Sequence, residues 1–151
     1  VLRGTGDVHV AVALEKLARK FGVNVTTAPV RVAYRETIAG PADVEGKIKK
    51  QSGGHGQFAV VQLRVTPRGH GEGSEFVDSV VGGAIPRNYI PAVERGVMDQ
   101  MAAGGLHGFP VVDVRVECYE GKYHSVDSSD MAFRTAASIG LKEAMAKAGT
   151  V

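Results

Sequence analysis

Residues 43–66 read DVEGKIKKQSGGHGQFAVVQLRVT, and the alternation in this stretch decides the fold. Val44, Gly46 and Ile48 alternate with Asp43, Glu45, Lys47 and Lys49; further on, Ala59, Val61, Leu63 and Val65 alternate with Val60, Gln62, Arg64 and Thr66. A period of two marks strands with one buried face. A minimal hairpin closes with about two residues such as Asn-Gly. The connection here, Lys49-Lys50-Gln51-Ser52-Gly53-Gly54-His55-Gly56-Gln57, is far longer, with lysines on one shoulder and an imidazole at its apex. A loop longer than its turn requires reads as a displayed tip, and this composition suits an anionic partner.

On the N-terminal side, Val10, Leu14, Leu17 and Phe21 fall at steps of four, three and four, which predicts a helix of about fifteen residues with Asp7 to cap it and Gly22 to stop it. Val23 to Thr27 reads as a short strand, Ala28-Pro29 breaks it, and Val30 to Arg35 reads as another strand. A lone helix and strand cannot enclose a core. The boundary is therefore placed at the proline: residues 1–28 are expected to be the end of a preceding domain, consistent with the missing initiator methionine, and residues 29–151 a domain of their own.

On the C-terminal side, Pro67 to Gly73 is a turn and Glu75 to Val81 a further strand. Pro86 leads into a helix through Ile90, Val93, Val97 and Met101 that ends at Gly104-Gly105, with Pro91 tolerated in the first turn. Val111 to Tyr119 alternates as a strand with Asp113, Arg115 and Glu117 facing out and Cys118 on the buried parity. Gly121 to Ser129 reads as a second polar loop, and Asp127 to Asp130 supplies capping oxygens for a last helix through Phe133, Ala137, Leu141 and Ala144. Strands followed by helix, strand, helix predict an α+β domain with helices packed on one face of a sheet.

The totals bound the function. A chain of 151 residues, 44% hydrophobic, can bury about two-thirds of its unfolded surface, enough for one compact domain and an appendage. The net charge of +2 means that any nucleic-acid role rests on local placement of charge. One cysteine excludes an internal disulfide and fits a reducing cytosol. No apolar run of about 18 residues and no signal-peptide order is present, so a cytoplasmic protein without a membrane partner is expected.

The same residues bear on chemistry. A phosphate loop feeds the N-terminus of a helix, whereas the glycines here feed a strand; Gly40 to Ile48 departs from Walker spacing and lacks a Ser/Thr after the lysine. The five histidines and Cys118 show no zinc-ligand spacing, and no G-x-S-x-G elbow is present. Arg31 and Arg35 suit a partner contact or a solvated strand face equally. His124, in Gly121-Lys122-Tyr123-His124-Ser125-Val126-Asp127, sits in a donor-rich loop, where imidazole can donate to a phosphate or 2′-hydroxyl or stack on a base. If both loops leave the same edge of the sheet, Lys49, Lys50, His55, Lys122 and His124 make a small cationic tip suited to an RNA backbone.

Longer strings carry a resemblance: Tyr34 to Ile38, Val44 to Lys47, Gln51 to Gly54 with Gly56-Gln57, Val81 to Pro86, Tyr89 to Val93, Gly108 to Asp113 and Tyr123 to Phe133. In these the chain resembles domain IV of translational GTPases of the elongation factor G type, and residues 1–22, with Gly4 to Val10, resemble the last helix of that family's domain III. The resemblance implies the fold of the second domain of a small-subunit ribosomal protein, with a left-handed β-α-β crossover where general rules favour the right-handed one. It implies a domain that reaches the ribosomal decoding centre and contacts the tRNA anticodon arm and mRNA, with GTP and magnesium held elsewhere in a longer protein and no cofactor or bond chemistry in this segment. Carried over by position, the first tip loop is Ser52, Gly53, Gly54, His55, Gly56 and Gln57, and the second runs from Gly121 to Asp127 with His124 at the family's tip histidine. Where the family usually has arginine between the glycines this chain has His55, a choice associated with second-copy paralogues acting in recycling or rescue; a neutral imidazole lacks the fixed bidentate fork of a guanidinium. A stand-alone RNA-binding module and a small-molecule kinase of the same fold are the other readings open at this point.

Overall fold

A computed structural model describes residues 4, 6–22, 24–26, 31–51 and 54–151. The chain divides into two compact units, Val1–Ala33 and Tyr34–Val151. In the first, helix α1 spans Asp7–Phe21 and ends on Gly22, whose left-handed φ of 64° lets its N–H reach the Ala18 carbonyl. The N-cap is Gly6, without a side-chain cap. Asp7 does not cap, contrary to the sequence reading; it lies in the first turn, where its charge complements the helix dipole. The strand expected from Val23 to Thr27 is not formed at residues 24–26, and Val23, Thr27 and the proposed boundary at Pro29 lie outside the described residues. Nor do residues 31–35 form a strand; Val30 is again outside.

The second unit is a four-stranded sheet of order β1-β2-β4-β3 with two helices. The strands are β1 (Ala42–Lys50), β2 (Gln57–Pro67), β3 (Glu75–Asp78) and β4 (Val114–Lys122); helix α2 (Ile90–Ala103) follows a single 3-10 turn at Arg87–Tyr89, and α3 spans Asp130–Ala148. β1, β2 and β4 are antiparallel neighbours. β3 and β4 are parallel and joined through α2, which makes a β-α-β crossover in an α+β fold. Pro91 is accommodated in the first turn of α2, where its missing N–H is no loss.

One face of the sheet meets the helices. Val44, Ile48, Ala59, Val61, Leu63, Val65, Val114, Val116 and Cys118 share one buried cluster with Val93, Val97 and Met101 of α2 and Phe133, Ala137, Leu141 and Met145 of α3. Each Val, Leu, Ile, Phe or Met side chain among them contributes about 1.5–3 kcal/mol on removal from water, so this cluster, not helix propensity, holds the unit together. The parity of β4 changes at a bulge opposite Gln62/Leu63. Cys118 is buried before it and Gly121 after it, and a Cβ on Gly121 would run into Ile85 and the Val60 carbonyl. The strand therefore extends through Lys122, three residues beyond the Tyr119 end read from the sequence, and the second loop is shorter by two.

Backbone pairs close the end of the sheet where β1 begins. Glu36 bridges Val111 and Ile38 bridges Thr150, while Thr37 and Val151 exchange two N–H···O bonds of 3.0 and 2.9 Å. Two buried carboxylates pin loops here. Glu36 accepts the N–H groups of His107 and Phe109, both at 2.9 Å. Asp113, expected to face out, is instead 7% exposed, because its φ of 57°, which aspartate tolerates, turns the carboxylate onto Gly71 and Gly73 N–H at 3.0 and 2.8 Å. Burial pushes the Glu36 carboxyl up, but the Phe109 and His107 N–H bonds outweigh it and hold it below its ordinary value. The Gly71 and Gly73 bonds hold Asp113 below its own.

A carboxylate held low in the folded state contributes stability above its ordinary titration range and loses it as the pH falls through that range and below. Asp113→Asn is therefore expected to lower the unfolding midpoint at neutral pH and to flatten its decline from about pH 5 downward. Urea titrations at stepped pH check this; an unchanged acid slope would show that Asp113 is not a source of the acid sensitivity.

Candidate functional site

At the far end of the sheet the hairpin loop between β1 and β2 meets the loop between β4 and α3. Gly56 N–H donates to the Asp127 carboxylate at 3.2 Å and Phe58 N–H to the Asp127 carbonyl at 3.0 Å. The Ser128 hydroxyl donates to the Phe58 carbonyl at 2.7 Å and accepts the His124 N–H at 2.8 Å. The two loops thus form one tip. The second is also tied to the core: Tyr89 donates to the Ser128 carbonyl at 3.3 Å and stacks on Phe133, and Ser129 caps α3 by accepting the Ala132 N–H.

Gly56 makes this closure possible, since a Cβ there would stand 2.6 Å from the Lys50 carbonyl and 3.1 Å from the Asp127 carboxyl carbon. Gly56→Ala is expected to part the loops, raising amide exchange at Phe58 about tenfold or more by loss of roughly 1.5 kcal/mol of protecting contact. Unaltered protection at Phe58 would show that the loops tolerate the methyl.

His124 Nδ1 accepts two backbone bonds, from Val126 N–H at 3.2 Å and Asp127 N–H at 3.1 Å, and lies 3.6 Å from the Asp127 carboxylate. A nitrogen that accepts two N–H groups carries no proton. The imidazole is accordingly the Nε2–H tautomer, a donor on a side chain 49% exposed, with its orientation fixed by its own loop.

The other residues singled out by sequence distribute around this tip. Lys49, opposite Phe58, and Lys122, opposite Val60, stand on the sheet face away from the helices, whereas Lys50, opposite Gln57, has the helix-side parity. His55 and Gly54 are exposed, with Gly54 at a φ of 145°. Ser52 and Gly53 lie outside the described residues. The sequence pattern offers Asp127 to Asp130 as helix-capping groups; in the structure Ser129 caps, while Asp127 and Ser128 cross to the first loop. The Gly-rich loop runs into β2 rather than a helix N-terminus, so these residues do not fit a nucleotide phosphate site. A shallow groove of about 450 Å³ between α2 and α3, lined by Gly96, Asp99, Arg134 and Ser138, is not part of the tip, and no helix among the described residues is long and apolar enough to cross a membrane.

Comparison with known proteins places this geometry. The family described as elongation factor G, domain IV, matches residues 30–149. A crystal structure of a protein from Thermus thermophilus superposes with a TM-score of 0.78 and is 44% identical in sequence, covering 98% of this chain and 22% of that one. The chain spans about a fifth of that protein's length.

Proposed function

The chain belongs to the elongation factor G domain IV family, and from that premise we propose that it is the RNA-contacting tip of a ribosome-dependent GTPase that promotes tRNA–mRNA translocation. The observation that carries the reading is the fused pair of loops. It stands at the end of the sheet opposite the Thr37–Val151 closure, so a nine-residue strand carries it about 30 Å from that closure. A tip of this kind acts by meeting another surface. Its partners in this reading are the ribosome at the small-subunit decoding centre, the tRNA anticodon arm and the mRNA, in the cytoplasm. GTP and magnesium belong to another domain of a longer protein. The Nε2–H of His124 donates to a phosphate or 2′-hydroxyl, the lysines meet phosphate, and the glycines allow close approach of the backbone.

His55 favours a second reading within the same family: a paralogue that binds ribosomes and acts in recycling or rescue. Single-turnover mRNA movement on pre-translocation ribosomes, followed by toeprinting with the full-length protein, separates the two. Movement by one codon supports the translocase; binding and GTP hydrolysis without movement supports the paralogue. His55→Arg is expected to raise the rate of movement several-fold by restoring a fixed, permanently charged fork, and an unchanged rate would make the histidine incidental.

A further inference from the structure

The sheet face turned away from the helices is graded in charge. Its first row from the tip holds Lys49 beside Phe58; the second holds Lys47, Val60 and Lys122, directly opposite one another across three strands. The third row is Glu45, Gln62 and Glu120, with Gln62 donating to Glu45 at 2.6 Å; in the fourth, Arg64 pairs with Asp43 at 3.0 Å and lies over the Tyr119 ring. The third row thus carries two carboxylates and no cation, and in the fourth Arg64 is held by Asp43. Among the described residues no ion pair engages Lys47, Lys49 or Lys122 in the upper rows, although all three are exposed.

Two apolar groups accompany these cations. Phe58 is half-buried, outside the core cluster, with its ring centroid 6.2 Å from that of His124. Val60 is only 5% exposed yet also outside the core cluster. Its cross-strand neighbours are the two lysines, long side chains of the kind whose methylene stems cover apolar surface. Lys47 and Lys122 bracket it at about 10 Å, two strand spacings. Among the described residues neither lysine is held in an ion pair, so both ammonium groups are available to an arriving polyanion.

We propose that Lys47, Lys49, Phe58 and Lys122 form a second RNA contact on the open sheet face, continuous with the tip and taking single-stranded RNA. The phosphates lie on the lysines, a base stacks on the Phe58 ring, and the path ends at the Glu45–Glu120 row, which repels phosphate. The aromatic ring among the lysines favours a nucleic acid over an acidic protein surface. This contact rests on the RNA-contacting reading of the tip, and the test separates them.

The 151-residue chain, labelled with nitrogen-15, is titrated with decauridylate and separately with decaglutamate while amide shifts are followed. The expected result is movement of Lys47, Phe58, Val60 and Lys122 with the RNA, none at Asp43 or Glu45, and weaker response to the peptide. Lys47→Gln with Lys122→Gln should lower the slope of log affinity against log salt by about 1.4, or roughly 0.7 for each lysine on a single strand, with the dispersed spectrum retained. Shifts confined to Gly54–Gln57 and Tyr123–Asp127 would overturn the sheet-face contact and leave the tip reading standing. No shift anywhere would overturn both, and an equal or stronger response to decaglutamate would assign the face to a protein.

Discussion

Gly46→Ala is expected to destabilise the domain by about 3 kcal/mol or more, lowering its thermal midpoint by roughly 10 °C. In an exposed strand the same change is favourable by about 0.5–1 kcal/mol, because alanine loses less backbone entropy than glycine. Here a Cβ would fall onto the Ala136 carbonyl oxygen and 3.0 Å from Gly140 Cα, so β1 and α3 approach backbone to backbone with nothing flexible between them. The strand must then move off the helix and open the cluster around Leu63 and Leu141. Gly40→Ala is the control, since a Cβ there meets nothing within 4 Å. Equal midpoints for the two variants in differential scanning calorimetry would refute the close approach.

In the full-length protein, His124→Ala is expected to slow single-turnover mRNA movement about tenfold, the kinetic equivalent of one lost hydrogen bond of about 1.5 kcal/mol. Ribosome-stimulated GTP hydrolysis should stay within about twofold, because the nucleotide belongs to another domain in this reading and the tip acts on RNA alone. The fixed tautomer is what gives this side chain its role. With Nδ1 held by the Val126 and Asp127 N–H groups, Nε2–H is the nitrogen left to donate outward. His124→Gln, which has a donor but not the ring or its loop bonds, should recover only part of the rate. Equal loss of movement and hydrolysis in the alanine variant would reject the separation of roles.

The parts of this structure legible in the sequence are those governed by side-chain period. β1 and β2 follow the alternation of Val44 to Val65, and α2 and α3 follow the spacing of Ile90 to Met101 and Phe133 to Ala144. What escaped depends on backbone geometry or distant pairing. Residues 31–38 carry strand-like composition, yet among them only Glu36 and Ile38 form β-bridges, each an isolated one. Asp113 alternates correctly on paper, but its left-handed φ reverses its side chain and makes it a loop anchor. The bulge near Glu120 shifts the inward parity by one, so a pattern read up to Tyr119 gives no hint that Gly121 is inside. At the tip, sequence supplied the residues and the condition that both loops leave one edge. The Asp127–Gly56 and Ser128–Phe58 bonds that satisfy it join residues 70 or more positions apart, which no local pattern encodes.

The mutual bonds between Thr37 and Val151 have a practical corollary for protein engineering. They hold residues 37 and 151 side by side, so residues 36–151 can be spliced into a surface turn of an unrelated host through short spacers with little added loop-closure entropy. The segment is in that sense a portable cassette, able to carry its tip on whatever scaffold offers two neighbouring attachment points.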